Sequence, residues 1–264
     1  MNTRKRIVYL IILVIIVYTT MQFPPLDVVL SNGHYDVLGS VIVPYERLLM
    51  GIILYIIGTF FFKWHIKKGN KSDLKQSILI MAFPLILTII FNIYTSVSLV
   101  NLFTELPKGQ MFLALALSIV AALVVGFYEE LIFRRGIFLL FLSFFESNKK
   151  SVLYGAIFSG ILFGIIHLTN LSSESTAYVL YQVMYASAMG FSFCMVYAKT
   201  KSLSVCVAMH ALIDVGDFFF NISGQPDIMK YQWIPIIMSI SFLAAGILIY
   251  TKIEESYSIK IGIK

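Results

Sequence analysis

Charged residues and cysteines are scarce in this sequence of 264 residues. Only 13% of the residues are Asp, Glu, Lys or Arg, against about 25% in an ordinary soluble domain. Two cysteines are too few for a disulfide-stabilised secreted scaffold. Cys194 and Cys206 both fall inside apolar runs, so we expect small buried hydrophobic side chains and neither a disulfide nor a metal pair.

Hydrophobic residues, by contrast, make up 59% of the chain, and the mean hydropathy is +0.86. One soluble core of this size could not bury so much apolar surface, and a disordered chain would not contain it. The apolar segments are continuous runs, which excludes the alternating strands of a transmembrane barrel. The sequence therefore predicts an all-α, polytopic membrane protein, and no linker divides 1–264, which we expect to form a single integral membrane domain.

Eight apolar segments are long enough to be transmembrane helices. A bilayer core of about 30 Å needs roughly 20 residues at a rise of 1.5 Å per residue. The stretch 109–117 is apolar but short, and we expect it to lie at the membrane interface and lead into the fourth span. The expected spans are about 7–23, 45–63, 77–100, 118–145, 151–168, 177–198, 203–221 and 231–250.

The distribution of basic residues predicts the orientation. The net charge is +6, but Lys and Arg lie between apolar runs, so their pattern indicates membrane topology and no nucleic-acid partner. With a cytoplasmic N-terminus, fifteen basic residues lie in inside segments and two, Lys108 and Lys230, lie outside. We therefore expect both termini in the cytoplasm. Short loops and an Ile-, Phe- and Lys-rich composition suggest a bacterial cell membrane.

Ionisable residues are concentrated in three of the expected spans. Such groups are costly in hydrocarbon and are functional candidates by default. They are Glu129, Glu130 and Arg134 in the fourth span, His167 at the end of the fifth, and His210 with Asp214 in the seventh. Together they predict a functional site inside the membrane.

The spacing of these residues predicts which of them share a helix face. Glu130 and Arg134 are four residues apart, so they share a helix face and can form an ion pair. His210 and Asp214 have the same spacing, so both can point into one cavity. Glu129 is rotated by about 100° from Glu130 on a helix, so it can face a cavity while Glu130 faces Arg134.

The depth of the residues gives a second expectation. Glu129 and His167 both lie seventeen residues from the loop at 146–150. If both helices are regular, the two side chains sit at the same level of the membrane. The same reasoning leaves the depth of His210 open.

The residue types are suited to hydrolysis. A carboxylate beside a water-filled cavity can act as a general base, while histidines and a carboxylate can stabilise an oxyanion or bind a divalent metal such as Zn²⁺. The sequence contains no H-E-x-x-H motif and no G-x-S-x-G motif. From the residues alone, proteolysis and proton-coupled transport are about equally supported.

Three motifs in order resemble the CAAX-processing and bacteriocin-processing intramembrane proteases, the CPBP or Abi family. The motifs are E-E-x-x-x-R at 129–134, F-x-x-x-H from Phe163 to His167, and H-x-x-x-N or H-x-x-x-D from His210 to Asp214. The third motif commonly ends in Asn, so Asp214 departs from the common form and adds a negative charge. The resemblance covers a motif-bearing core at about 118–221.

The resemblance implies a CAAX-protease-like bundle of eight helices that cleaves a membrane-bound peptide or protein. It implies that Glu129 activates the attacking water and that Asp214 supports the two histidines. His167 and His210 would stabilise the oxyanion or, with Glu129, hold Zn²⁺ or another divalent metal. It further implies a structural pair of Glu130 and Arg134, with Phe163 lining the pocket.

Two alternatives to proteolysis stay open at this point. The first is a non-catalytic membrane partner that regulates a membrane signalling protein or confers immunity to a bacteriocin. The intact set of Glu129, His167 and His210 argues against it, because a protein without activity has no need to keep them. The second is a proton-coupled transporter, which the lack of an inverted hydropathy repeat disfavours.

Overall fold

A computed structural model describes residues 8, 11–17, 45–60, 70–95, 108–145, 148–172, 174–220 and 232–254. Across these residues the protein contains helices and no strand. This confirms the predicted all-α membrane bundle. Residues 11–17 are helical, and the rest of the first expected span lies almost entirely outside the described residues.

After residues 11–17, the described residues form eight α-helices. Two further helical segments, one π-helical and one 3-10, each continue directly from an α-helix. A π-helical segment, Leu131–Phe138, follows α3, and a 3-10 segment, Ile166–Ser172, follows α5. The α-helices are α1 Tyr45–Phe60, α2 Lys71–Thr95, α3 Lys108–Glu130, α4 Leu139–Phe144, α5 Lys149–Ile165, α6 Thr176–Thr200, α7 Leu203–Phe220 and α8 Trp233–Thr251.

Within the part of the chain that the structure describes, five helical stretches are long and apolar enough to cross a membrane. They correspond to five of the eight expected spans, while α1 contains a shorter apolar helix, Arg47–Thr59. The seventh expected span coincides with α7, which carries the ionisable residues of the third motif and is not among these five stretches. The protein is a multi-pass membrane protein, and the total of eight spans stays a prediction. The five stretches are Lys71–Tyr94, Met111–Phe144, Lys149–Ser172, Thr176–Thr200 and Trp233–Thr251.

The structure adds two findings about helix geometry. The stretch 109–117 is continuous with the fourth span, since α3 begins at Lys108 and runs unbroken through residues rich in the strong helix formers Leu and Ala. The helices that carry Glu129 and His167 are also not regular, since a π segment follows Glu130 and a 3-10 segment begins at Ile166. Segments of π-helix frequently occur at functional sites.

Helix α6 lies at the centre of the bundle, packed between α5 and α8 and touching α2. Its backbone approaches that of α5 closely because both helices carry glycine at the contact. A Cβ atom added to Gly160 would lie 2.7 Å from the backbone nitrogen of Phe191, and one added to Gly190 would lie 3.0 Å from the Cα of Gly160. These two glycines therefore serve close packing of the two helices.

One end of the bundle brings together lysines of α5, α6 and the segment after α8. Lys199, near the end of α6, forms an ion pair of 2.9 Å with Asp73 at the start of α2. Its Nζ also donates to the carbonyl oxygen of Lys252 after α8. Lys149, the first residue of α5, lies over the ring of Tyr250. We call this the basic end. It brings together lysines that the charge count assigned to one side of the membrane.

Candidate active site

The two adjacent glutamates at the end of α3 have different surroundings. Glu130 is fully buried and pairs with Arg134, whose Nε lies 2.7 Å from Oε2 and whose Nη2 donates to Oε1 at 2.9 Å. The side chain of Glu129 is 21% exposed and lines a cavity. The ion pair predicted from the spacing of Glu130 and Arg134 is therefore present, and the side chain of Glu129 faces the cavity.

Arg134 belongs to the π segment, and aromatic side chains from α5 and α6 enclose it. Its guanidinium carbon lies 5.3 Å from the ring centroid of Phe163 and 5.7 Å from that of Phe193. Both distances lie within the range of cation–π attraction. The carbonyl oxygen of Phe133 in the same segment accepts a hydrogen bond of 3.0 Å from the hydroxyl of Ser159 on α5. The aromatic rings and Glu130 thus hold a full charge in the interior of the bundle.

His210 on α7 joins the two glutamates. Its Nδ1 lies 2.9 Å from Oε1 of Glu130, and because a carboxylate only accepts, Nδ1 is the donor. The other ring nitrogen, Nε2, lies 3.7 Å from Oε2 of Glu129 and 3.5 Å from Oδ2 of Asp214. The close contact of α3 with α7 permits this, since a Cβ added to Gly126 would lie 3.3 Å from that of His210.

His167 is anchored in a similar way in the 3-10 segment. Its Nδ1 lies 2.9 Å from the carbonyl oxygen of Phe163, so Nδ1 donates there and Nε2 is the nitrogen left for other partners. The ring of Phe163 stands edge to face between the two histidines, with centroid distances of 5.4 Å to His167 and 5.8 Å to His210. Phe163 therefore separates and orients both rings.

The residues of the three motifs surround one cavity of about 330 Å³. Helices α3, α6 and α7 form most of its wall. Toward Asp217 near the end of α7 and Tyr178 near the start of α6, it approaches the end of the bundle opposite the basic end. Its lining includes Glu129, Phe163, His167, His210, Asp214, Asp217, Tyr178, Gln182 and Tyr185.

The structure places five of the seven predicted site residues on this cavity, and Glu130 and Arg134 lie behind it. Glu129 and His167 face the same space although neither helix is regular. The depth argument thus predicted that these two side chains lie together, although it assumed regular helices. His210, whose depth the sequence left open, lies in the cavity wall between Glu129 and Asp214.

Two further charged residues belong to the site and were not predicted. Asp217 follows His210 and Asp214 at positions i, i+4 and i+7, so the helical period contained a signal for it. Arg47 on α1 lies 3.6 Å, through Nη1, from Oε1 of Glu129. No local spacing links residues 82 positions apart, so only the fold could identify Arg47.

The arrangement of the donor groups bears on the predicted metal site. Among the described residues, no group of three His, Cys, Asp or Glu side chains is arranged to hold a metal ion. His210 uses Nδ1 for Glu130, and the Nδ1 of His167 is bound to a backbone carbonyl. The described side chains in this arrangement do not form a ligand set for a metal ion.

The two cysteines are free and buried within the bundle, as the sequence predicted. The Sγ atom of Cys194 lies 3.9 Å from Nη1 of Arg134, and Cys206 packs on the same core. Both lie apart from the cavity lining. They are packing residues.

Comparison with known proteins matches the segment that carries the three motifs. Residues 111–216 match the family model described as type II CAAX prenyl endopeptidase Rce1-like. A stretch of 102 residues, 38% of this chain, is 29% identical to "Putative membrane peptidase YdiL" of Bacillus subtilis (strain 168). The matched stretch spans 36% of that relative's length. The resemblance to the CAAX-processing and bacteriocin-processing membrane proteases, predicted from the motifs, is confirmed for the part of the chain that forms the cavity.

Proposed function

We propose that this protein is an intramembrane endopeptidase that hydrolyses a peptide bond of a membrane-associated protein or peptide. The observation that carries the proposal is the cavity itself, in which the carboxylate of Glu129 faces the imidazole of His210 while His167 lines the same space. The Rce1-like match over the same residues supports a protease. A lipid bilayer around the helices favours a substrate that is itself held in the membrane.

In the proposed mechanism Glu129 is the general base. It takes one proton from a water molecule in the cavity as the water oxygen forms a bond to the peptide carbonyl carbon. The protonated Glu129 then delivers that proton to the amide nitrogen as the carbon–nitrogen bond breaks. This transfer returns Glu129 to its carboxylate form. The products are an amine and a carboxylic acid, which then releases its own proton to water.

The histidines are suited to the negative charge that develops on the carbonyl oxygen. Each ring is fixed through Nδ1, which directs Nε2 away from that bond, and Nε2 of His210 lies beside Glu129 and Asp214. A protonated Nε2 on either ring can donate to the oxyanion. Preorganised donors of this kind typically contribute 10²–10³-fold to the rate. Asp214, 3.5 Å from Nε2 of His210, supports the protonated form of that ring by its charge.

The first prediction tests the base. Replacement of Glu129 with Gln preserves the shape of the side chain but removes its basicity, so the cleavage rate of a cognate membrane peptide should fall by about 10²-fold or more. The measurement is peptide cleavage by the purified full-length protein. Glu174→Gln is the matched control, because Glu174 is a carboxylate at the same end of the bundle but outside the cavity lining.

Glu130→Gln separates catalysis from folding in the same assay. Glu130 is the partner of Arg134, so this variant should reduce the yield of folded protein more than the rate per folded molecule. If Glu129→Gln cleaves at the wild-type rate, the mechanism is wrong. If the wild type also cleaves no peptide, the function as a non-catalytic membrane partner is favoured instead.

The orientation proposal follows from the two ends of the bundle. Lysines of α5, α6 and the segment after α8 meet at the basic end, and positive charge near spans marks the cytoplasmic side. Asp217 and Tyr178 lie at the opposite end of their helices. We therefore propose cytoplasmic termini, with the cavity nearer the non-cytoplasmic face.

A further inference from the structure

Arg47 on α1 lies beside the proposed base, although it is outside the three motifs and outside the matched residues 111–216. Its Nη1 lies 3.6 Å from Oε1 of Glu129, and its side chain is 41% exposed while that of Glu129 is 21% exposed. The guanidinium therefore reaches the base from the more open side. A pair at this distance can tighten when substrate binds, as catalytic contacts often do.

The two oxygens of Glu129 face different partners. Arg47 is near Oε1, and Nε2 of His210 is 3.7 Å from Oε2. The carboxylate is thus held between α1 and α7, which restricts its rotation about the last side-chain bond. A base held in one orientation keeps the accepting oxygen in line with the water that it must deprotonate.

The charges around Glu129 give Arg47 a further role. The residues that line the cavity contain three carboxylates, from Glu129, Asp214 and Asp217, and no Lys or Arg among the described residues. Arg134 is committed to Glu130. Arg47 therefore supplies a permanent positive charge next to Glu129, since a guanidinium does not lose its proton in proteins.

We propose that Arg47 is a positioning residue, which orients the carboxylate of Glu129 and offsets the repulsion from the neighbouring carboxylates. The inference rests on the proposed function of Glu129 as the base. It assigns a part of the mechanism to α1, a helix that no motif of the family resemblance includes.

The docking of α1 onto α3 does not depend on Arg47. A Cβ added to Gly51 would lie 3.0 Å from the ring of Phe127 on α3, and Leu54 is fully buried one turn further along. Variants of Arg47 are therefore expected to fold, and their effect on cleavage can be read directly.

The experiment measures kcat and KM for cleavage of one membrane peptide by the full-length protein. Arg47→Ala should lower kcat by about 10-fold to 10²-fold, the scale of a misplaced catalytic group, with KM changed less than about twofold. Arg47→Lys should restore part of the loss, because it returns the charge without the planar fork. Lys75→Ala, which removes an exposed charge on α2, is the matched control and should leave kcat unchanged.

A double variant distinguishes positioning from an independent effect. In Glu129→Gln the oriented base is already lost, so adding Arg47→Ala should cause little further decrease. A folded Arg47→Ala protein with wild-type kcat, or a multiplicative loss in the double variant, would overturn the inference and leave the proposed function intact. Wild-type protein that cleaves no peptide would remove both.

Discussion

Adjacent residues on one helix turn have separate environments in this site. Glu129 and Glu130 differ by about 100° around the helix axis, so one carboxylate faces the cavity and the other faces a fully buried arginine. The buried pair is further joined to the cavity by His210, whose Nδ1 donates to Glu130 and whose Nε2 faces Glu129. The structural pair therefore orients a ring that the proposed mechanism uses.

Arg134 is expected to be essential for folding. Arg134→Ala leaves the carboxylate of Glu130 buried with only His210 as a charged partner, and removal of one member of a buried pair typically costs about 3–5 kcal/mol. Folded yield and activity should therefore fall together, as measured by size-exclusion profile, thermal unfolding and peptide cleavage. Lys150→Ala, at an exposed position, is the control. A folded and fully active Arg134→Ala protein would contradict the structural role of the pair.

At the scale of elements, the contact between α5 and α6 determines where two of the site residues lie. Gly160 and Gly190 let the two backbones meet, and Phe163 packs directly beside Gly190. This contact holds Phe163 and, one turn later, His167 against the wall formed by α6. The π segment acts similarly on the other side, because it buries Arg134 behind the cavity.

A methyl group at Gly160 should therefore displace residues of the site, although Gly160 itself does not line the cavity. Gly160→Ala places Cβ 2.7 Å from a backbone nitrogen and 2.9 Å from a backbone oxygen of α6, so the helices must move apart. Overpacking of this kind typically costs about 1–3 kcal/mol. Thermal unfolding and cleavage should both be impaired. Ile161→Ala, which changes an exposed residue one position further on the same helix, should change both much less, and equal effects would refute the packing argument.

At the scale of the whole molecule, the cavity approaches the end of the bundle that lies opposite the basic end. The distribution of positive charge therefore bears on which face of the membrane the cavity is nearer. If the basic end is cytoplasmic, the chemistry takes place nearer the outer face of the membrane.

Cysteine labelling in intact cells tests that orientation. In a background in which Cys194 and Cys206 are replaced by Ala, Gln232→Cys before α8 should react with a membrane-impermeant maleimide. Asn70→Cys before α2 should react only after the cells are opened. Both positions are exposed, so accessibility to the reagent and not burial determines the result. Labelling of residue 70 from outside would reverse the proposed topology.

The sequence by itself determined the membrane class and the helical fold, and it predicted five residues that the structure places on one cavity. Composition and the length of apolar runs reflect the solvent around each helix, which depends little on how the helices pack. The i, i+4 spacing of Glu130 with Arg134 and of His210 with Asp214 was equally local, and each pair is in contact in the fold.

Only the tertiary structure decided which residues from distant helices meet at Glu129. Arg47 reaches it from α1 and His210 from α7, and neither contact follows from spacing along the chain. The π segment after Glu130 and the 3-10 segment at His167 were also decided there. The physical reason is that the position of a side chain between two helices depends on how closely their backbones approach. In this bundle that approach depends on glycines and their partners on the facing helix, among them Gly126, Gly160 and Gly190.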